Sequence, residues 1–312
     1  MDGIINIFKP KGMTSFDVVA IVRKICGIKK TGHLGTLDPM AEGVLPVAVG
    51  KATRIMDYLD TDIKVYKGRA ILGIETDTLD IWGEKIAETE VSNVSQNRLK
   101  EVISGFCGVI SQTPPIYSAL KVNGKKLYEY ARKGESIEIK SRDTFIKQAE
   151  LISFDGREFE FQIACSKGTY IRTICSDIGK KLGCGAAMSS LTRLKSGCFD
   201  VSDSVSVEQI RNMPIFEIKR HMTAVDIPLA HFGKALLSDW ERRLFVNGVA
   251  LRREQWVMEE LPRFASEKFA LPIKEEFEHF YRVYDRSGVF LGTAIETNGL
   301  IKADKVFYNA NI

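Results

Sequence analysis

The residues with most to offer chemically lie in one short segment, Gly32-His33-Leu34-Gly35-Thr36-Leu37-Asp38-Pro39-Met40-Ala41-Glu42-Gly43-Val44-Leu45-Pro46. Its glycines let a backbone approach a ligand closely. Asp38 precedes Pro39, which pushes it toward extended φ/ψ and offers it no following N–H. The carboxylate is left available for a partner elsewhere in the fold. A carboxylate left open in this way is a candidate catalyst. An Asp-Pro dipeptide alone is an ordinary turn, so the case rests on what surrounds it.

Other site chemistries fail on spacing. Gly50-Lys51-Ala52-Thr53 resembles the end of a phosphate-binding loop, but Leu45 and Ala52 stand where that loop needs Gly and Ser or Thr. Gly183-Cys184-Gly185 follows a helical pattern, and Met188 replaces the third glycine of a dinucleotide fingerprint. The six cysteines form no CxxC pair, and with four histidines they build no zinc pattern. No metal or organic cofactor is expected. The thiols read as reduced and mostly buried, and Lys9, Lys11 and Gly12 interrupt any apolar leader, so the expected compartment is the cytoplasm. The longest uncharged run, Val102–Leu120, contains Pro114, Pro115, Gln112 and several Ser and Gly, so no membrane span is expected.

The elements that must position the segment follow from patterning. Ile4–Phe8 reads as a strand, and Thr14 with Asp17 as a capping box opening a helix whose stripe ends at Gly27. Lys51–Leu59 reads as a helix, Lys64–Gly73 as an alternating strand, and Glu75–Gly83 as an acidic loop. Helices are expected at Gln96–Phe106 and Lys125–Lys133. Phe145–Phe154 and Glu158–Ser166 form a hairpin turning at Asp155-Gly156; Thr169 caps a helix to Leu182; Ala187–Phe199 is a strand. Strands and helices do not alternate regularly, which predicts an α+β fold with a mixed, mainly antiparallel sheet. Beyond Asp226 short apolar segments with Gly turns suggest a small β domain, beginning with Leu244–Ala250 through Asn247-Gly248. The expected domains are 1–225 and 226–312.

The 312 residues carry 44 basic and 40 acidic side chains, a net charge of +4. Residues 1–200 hold 29 and 24 of them, a net of +5, so the rest is −1. A polyanion would therefore be gripped by the first two thirds.

The glycine-rich segment resembles the motif of the bacterial tRNA pseudouridine synthase B family, G-H-x-G-T-L-D-P-x-A-x-G-V-L-P. Four further blocks are similar, in the same order: Lys9–Ser15; Lys64-Val65-Tyr66 with Thr76–Asp80; Pro114–Lys121 with Gly124–Gly134; and Cys165–Thr173. Phe8 stands where that family usually has Asn, and Leu191-Thr192-Arg193 replaces a Leu-Arg-Arg run.

The resemblance implies a pseudouridine synthase fold with a C-terminal RNA-binding domain of the PUA type. It implies isomerisation of the T-loop uridine, position 55 of tRNA: the N1–C1′ bond breaks, the base turns, and C5 is joined to C1′. It gives Asp38 the role of catalytic carboxylate, acting by attack at C1′ or through a glycal. Arg172 becomes its paired cation, and Tyr66 the ring that stacks on the base and accepts or relays the C5 proton. His33 fills the space that the flipped uridine vacates; Lys9, Lys121, Tyr170 and Arg193 are RNA contacts. Arg242, Arg243, Arg252 and Arg253 would contact RNA from the C-terminal domain. The partner implied is the tRNA T-arm, with the acceptor stem as an additional contact, and a monomer needing no protein partner. A guide-dependent pseudouridine synthase and a non-catalytic tRNA-binding protein are the alternatives.

Overall fold

The computed structural model describes residues 1–59, 63–262 and 277–308. The elements of the larger unit are β1 (Gly3–Lys9), α1 (Ser15–Cys26), β2 (Thr31–His33), β3 (Glu42–Val49), β4 (Lys64–Leu72), α2 (Gln96–Ser104), β5 (Gly108–Gln112), β6 (Arg142–Phe154), β7 (Glu158–Cys165), α3 (Ile171–Leu182) and β8 (Ala186–Ser196). They build one mixed sheet whose main path runs from the short strand Val205–Ser206 through β1, β3, β8, β4, β7 and β6 to β5. Most pairs are antiparallel; β3 with β8, and β1 with Val205–Ser206, are parallel.

Alternation explains the core. In β4, Tyr66, Gly68, Ala70 and Leu72 are buried, and Lys67 and Arg69 point to solvent. Helix α1 buries Val18, Val19 and Val22, and α3 buries Ile171, Ile174, Cys175 and Ile178, in the same apolar cluster as β4. The Thr14/Asp17 capping box is present, and Gly27 ends α1 in the left-handed region.

Register places one row of residues directly behind the glycine-rich segment. Lys9 of β1 is opposite Gly43 of β3, Gly43 is opposite Arg193 of β8, and Arg193 is opposite Tyr66 of β4. Gly43 has φ +108, and a Cβ there would lie 2.3 Å from the Arg193 carbonyl oxygen. The row closes only around a residue without a side chain.

A second sheet contains β9 (Gly233–Leu237), β10 (Phe280–Asp285), β11 (Phe290–Thr297) and β12 (Leu300–Val306). An apolar cluster joins it to the first sheet, with Ile4, Ala48, Ile55 and Tyr58 on one side and Phe232, Phe277, Phe280 and Phe290 on the other. The Tyr58 hydroxyl donates to Asp304, and Arg54 donates to the Val306 carbonyl at 2.9 Å.

Three local expectations are corrected. Lys51–Leu59 is a 3₁₀ run, Gly50–Tyr58, rather than an α-helix. Thr169 does not cap α3: its hydroxyl donates to the Ser166 carbonyl, and Gln112 Oε1 accepts the Tyr170 N–H at 2.8 Å. Leu244–Ala250 is no strand. Asp239–Val246 is helix α4, and Asn247-Gly248 is its C-terminal exit, with Gly248 at φ +80. Asn-Gly serves both hairpins and helix ends, and Asp239 and Glu241 in the first turn favour the helix.

Gly43→Ala is expected to lower stability by roughly 2–4 kcal/mol, from positive φ and the clash with Arg193 together. Urea unfolding checks this, and an unchanged midpoint would contradict the packing described.

Candidate active site

Asp38 sits in the loop between β2 and β3. Its position is set by the residues around it. Leu37 is buried, and its N–H donates to Ser15 Oγ at 2.9 Å while that hydroxyl donates back to the Leu37 carbonyl at 3.1 Å. The Asp38 carbonyl accepts from Ala41 N at 3.1 Å, and the Pro39 carbonyl accepts from Gly12 N at 2.9 Å. The Lys9-Pro10-Lys11-Gly12 turn and the start of α1 are thus fastened to the Asp38 loop.

Arg172, in the first turn of α3, organises the carboxylate. Its side chain is 6% exposed and Asp38 43% exposed, with Arg172 Nε 3.0 Å from Asp38 Oδ2. The remaining donors are also used. Nη1 bonds the Thr78 carbonyl at 3.1 Å and lies 3.7 Å from Asp80 Oδ2, and Nη2 bonds the Tyr117 carbonyl at 2.9 Å. A planar guanidinium fork suits such a spread of acceptors. Asp38 is therefore held along one edge and remains open to solvent.

Asp80 is the site residue that sequence reasoning placed in a motif but gave no role. It accepts from Thr78 Oγ1 at 2.7 Å and from Trp82 N at 3.2 Å. Burial pushes its carboxyl up; the Thr78 hydrogen bond and Arg172 oppose that. Leu79 between them has φ +64, a conformation uncommon outside glycine. The Thr-Asp-Thr-Leu-Asp run of residues 76–80 was the available signal.

Tyr66 is buried, with its ring in the main core cluster. Burial pushes its phenol up, more than the nearby Arg193 pulls it down, so it is a neutral phenol at neutral pH. A phenol in this state can pass a proton on but does not act as a phenolate base.

Two expected RNA contacts are placed elsewhere. Lys9 is 0% exposed, and its ammonium donates to the carbonyls of Pro10, Met13 and Pro39 at 2.8, 2.7 and 3.1 Å. Arg193 is also 0% exposed and donates to the carbonyls of Val44, Thr36 and Gly35 at 2.7, 3.1 and 3.1 Å. Neither has surface to offer a phosphate. Both brace the loop from behind, because the strand register turns them inward. Arg242 likewise is held within its own unit by Asp285 and Asp239. Arg243 and Arg252 are exposed, and Arg253 stacks over Trp256.

The other expected contacts reach the surface. Lys121 is exposed on a short hairpin, Lys121–Val122 with Lys125–Lys126, whose turn residues Asn123 and Gly124 both have positive φ. Lys126 and Arg132 flank the Tyr128 ring at 5.4 and 5.3 Å. Tyr170 is half-buried under Arg142, 5.8 Å from its ring centre. His33 is half-buried on β2. Burial, then Arg193 and Lys64, lower its pKa and keep the imidazole neutral. The Phe16 ring lies 5.4 Å from it at 83°.

A mainly antiparallel sheet carries this loop aspartate against a buried arginine, and the chain's matches to known proteins place it in the class of pseudouridine synthases. In fold the chain is similar to a solved structure titled "Crystal Structure of a Cbf5-Nop10-Gar1 Complex", with a TM-score of 0.73, 25% identity, and coverage of 98% of this chain and 85% of that one. Residues 23–171 match the model for TruB family pseudouridylate synthase (N terminal domain), and residues 172–229 that for the tRNA pseudouridylate synthase B C-terminal domain. The chain is 42% identical over 306 residues to tRNA pseudouridine synthase B of Clostridium novyi, covering 98% of this chain and 99% of the relative. It is 44% identical over 292 residues to the same-named protein of Clostridium acetobutylicum, covering 94% of each. The chain belongs to the TruB family of pseudouridylate synthases.

The Lys9 ammonium is pushed down to about 8, chiefly by burial. An unfolded lysine titrates near 10.4, so between these values the unfolded chain binds the extra proton and stability rises with pH. The stability difference between wild type and Lys9→Met should move toward the wild type by on the order of 2 kcal/mol from pH 7.5 to 10.5. Urea unfolding at the two pH values measures it; a constant difference would contradict the buried, strained charge.

Proposed function

We infer that the chain isomerises a uridine of tRNA to pseudouridine, and that the uridine is position 55 in the loop of the T-arm. The observation that carries the chemistry is the Arg172–Asp38 pair: a carboxylate fixed along one edge, with its side chain 43% exposed. In the reaction the N1–C1′ bond breaks, the uracil turns, C5 bonds to C1′, and the hydrogen displaced from C5 is replaced by one at N1. The Asp38 carboxylate acts at the ribose, either by attack at C1′ or by way of a glycal. Tyr66 stacks against the base and relays the C5 proton. Arg172 holds Asp38, and Asp80 anchors the far side of the same guanidinium. His33, neutral and beside the loop, takes the space the uridine leaves when it flips from the RNA stack; extrusion itself costs a few kcal/mol.

Lys121, the lysines and tyrosines of residues 125–133, and Tyr170 supply the RNA-facing surface; basic side chains meet phosphates and aromatic faces meet unstacked bases. Residues 1–225 are the catalytic domain, and residues 226–312 a PUA-like RNA-binding domain, with Arg243 and Arg252 among its exposed cations. The T-arm suffices for recognition, with the acceptor stem adding contacts. We place the enzyme in the cytoplasm, acting as a monomer without guide RNA or partner protein. The chain's 42% identity to tRNA pseudouridine synthase B of Clostridium novyi, against 25% to the structure titled as a Cbf5-Nop10-Gar1 complex, supports this reading over a guide-dependent one.

The test is tritium release from uridine C5 in tRNA by purified protein alone. Asp38→Asn should release tritium slower by on the order of 10³-fold or more, with tRNA still bound. Release at the wild-type rate would overturn the role of Asp38, and a requirement for an added guide RNA would favour the guide-dependent class.

A further inference from the structure

Phe16 is a large apolar side chain in an unusual place. It is 66% exposed, although α1 has a well-formed buried face in Val18, Val19 and Val22. Scattered exposed apolar residues are common, but this one is fixed in relation to the catalytic loop. Its chain neighbour Ser15 exchanges two hydrogen bonds with Leu37, the residue before Asp38. Arg23, two turns along α1, donates to the Thr31 carbonyl at 3.4 Å and ties the helix to β2. Between these fastenings the Phe16 ring meets His33 edge to face, with centroids 5.4 Å apart. Lys11, Lys29 and Lys30 are exposed in the turns at either end of this unit, a setting that draws an RNA backbone rather than an apolar protein surface.

We propose that Phe16 is a stacking platform for a nucleobase of the RNA loop, next to the uridine that is flipped toward Asp38. This deepens the functional reading above and rests on it. With His33 filling the vacated position, the two rings form one wedge. One ring holds the gap open and the other supports the base beside it. Aromatic faces stack on any base, so the platform gives affinity and position rather than sequence choice. Phe16 carries no group that can react, and it is a positioning residue.

The experiment compares wild type with Phe16→Ala, Phe16→Leu and Phe16→Tyr, using tritium release from a T-arm hairpin to separate KM from kcat. Phe16→Ala should raise KM on the order of 10-fold with kcat within about twofold. Phe16→Tyr should restore it and Phe16→Leu should not, because leucine keeps the apolar bulk and loses the π face. Phe16→Trp adds a direct readout: the emission it gains over wild type should be quenched when the hairpin binds. An unchanged KM in Phe16→Ala, rescue by Leu equal to rescue by Tyr, or unquenched emission would each overturn the platform. Absence of tritium release by the wild type would instead defeat the functional reading on which it rests.

Discussion

The structure depends first on where one buried guanidinium sends its hydrogen bonds. Arg172 is almost wholly withdrawn from water and faces two carboxylates and two backbone carbonyls. A charge in that position is tolerable only if its donors are satisfied, and deleting one partner of such a pair commonly costs about 3–5 kcal/mol. Four separate parts of the chain are therefore drawn to one point: the Asp38 loop, the Thr78–Asp80 turn, the Tyr117 segment and the start of α3. Asp38 is the exposed member of this set, which leaves it reachable from solvent while its direction is fixed.

A second constraint operates behind the loop. Lys9, Gly43, Arg193 and Tyr66 form one row across four neighbouring strands. Two cations in that row bond six carbonyls, most of them in the loop or the turn that supports it. The loop backbone, rich in glycine and proline, cannot satisfy its own carbonyls through regular structure. Buried lysine and arginine do that instead. Such bracing of a functional loop by a rigid sheet is what holds a reacting group to the tolerance that catalysis requires.

Much of this was legible in the sequence. The capping box of α1, the alternation of β4 and the hairpin at Asp155-Gly156 follow from local chemistry, and the structure contains them. The pairing of Asp38 with Arg172 came from resemblance, since the two are far apart in the chain and only the fold brings them together. What misled was the assumption that basic residues near the motif face the RNA. Lys9 and Arg193 face inward because strand register decides orientation, and register is set by partners distant in sequence. Asp80 went unassigned for a related reason: its importance comes from sharing Arg172, which no local pattern reveals. The Asn247-Gly248 pair was ambiguous in itself, and the acidic residues eight and six positions earlier decided for a helix.

We read Arg172 as a fork that positions Asp38 rather than as a general cation near RNA. Arg172→Lys keeps the charge but cannot span the same acceptors. The direct measurement is single-turnover tritium release by this variant beside its affinity for the T-arm hairpin. Affinity should stay within about twofold of wild type while the rate falls by on the order of 10²-fold or more. A rate close to wild type, or a loss of affinity that accounts for the whole defect, would contradict the central claim.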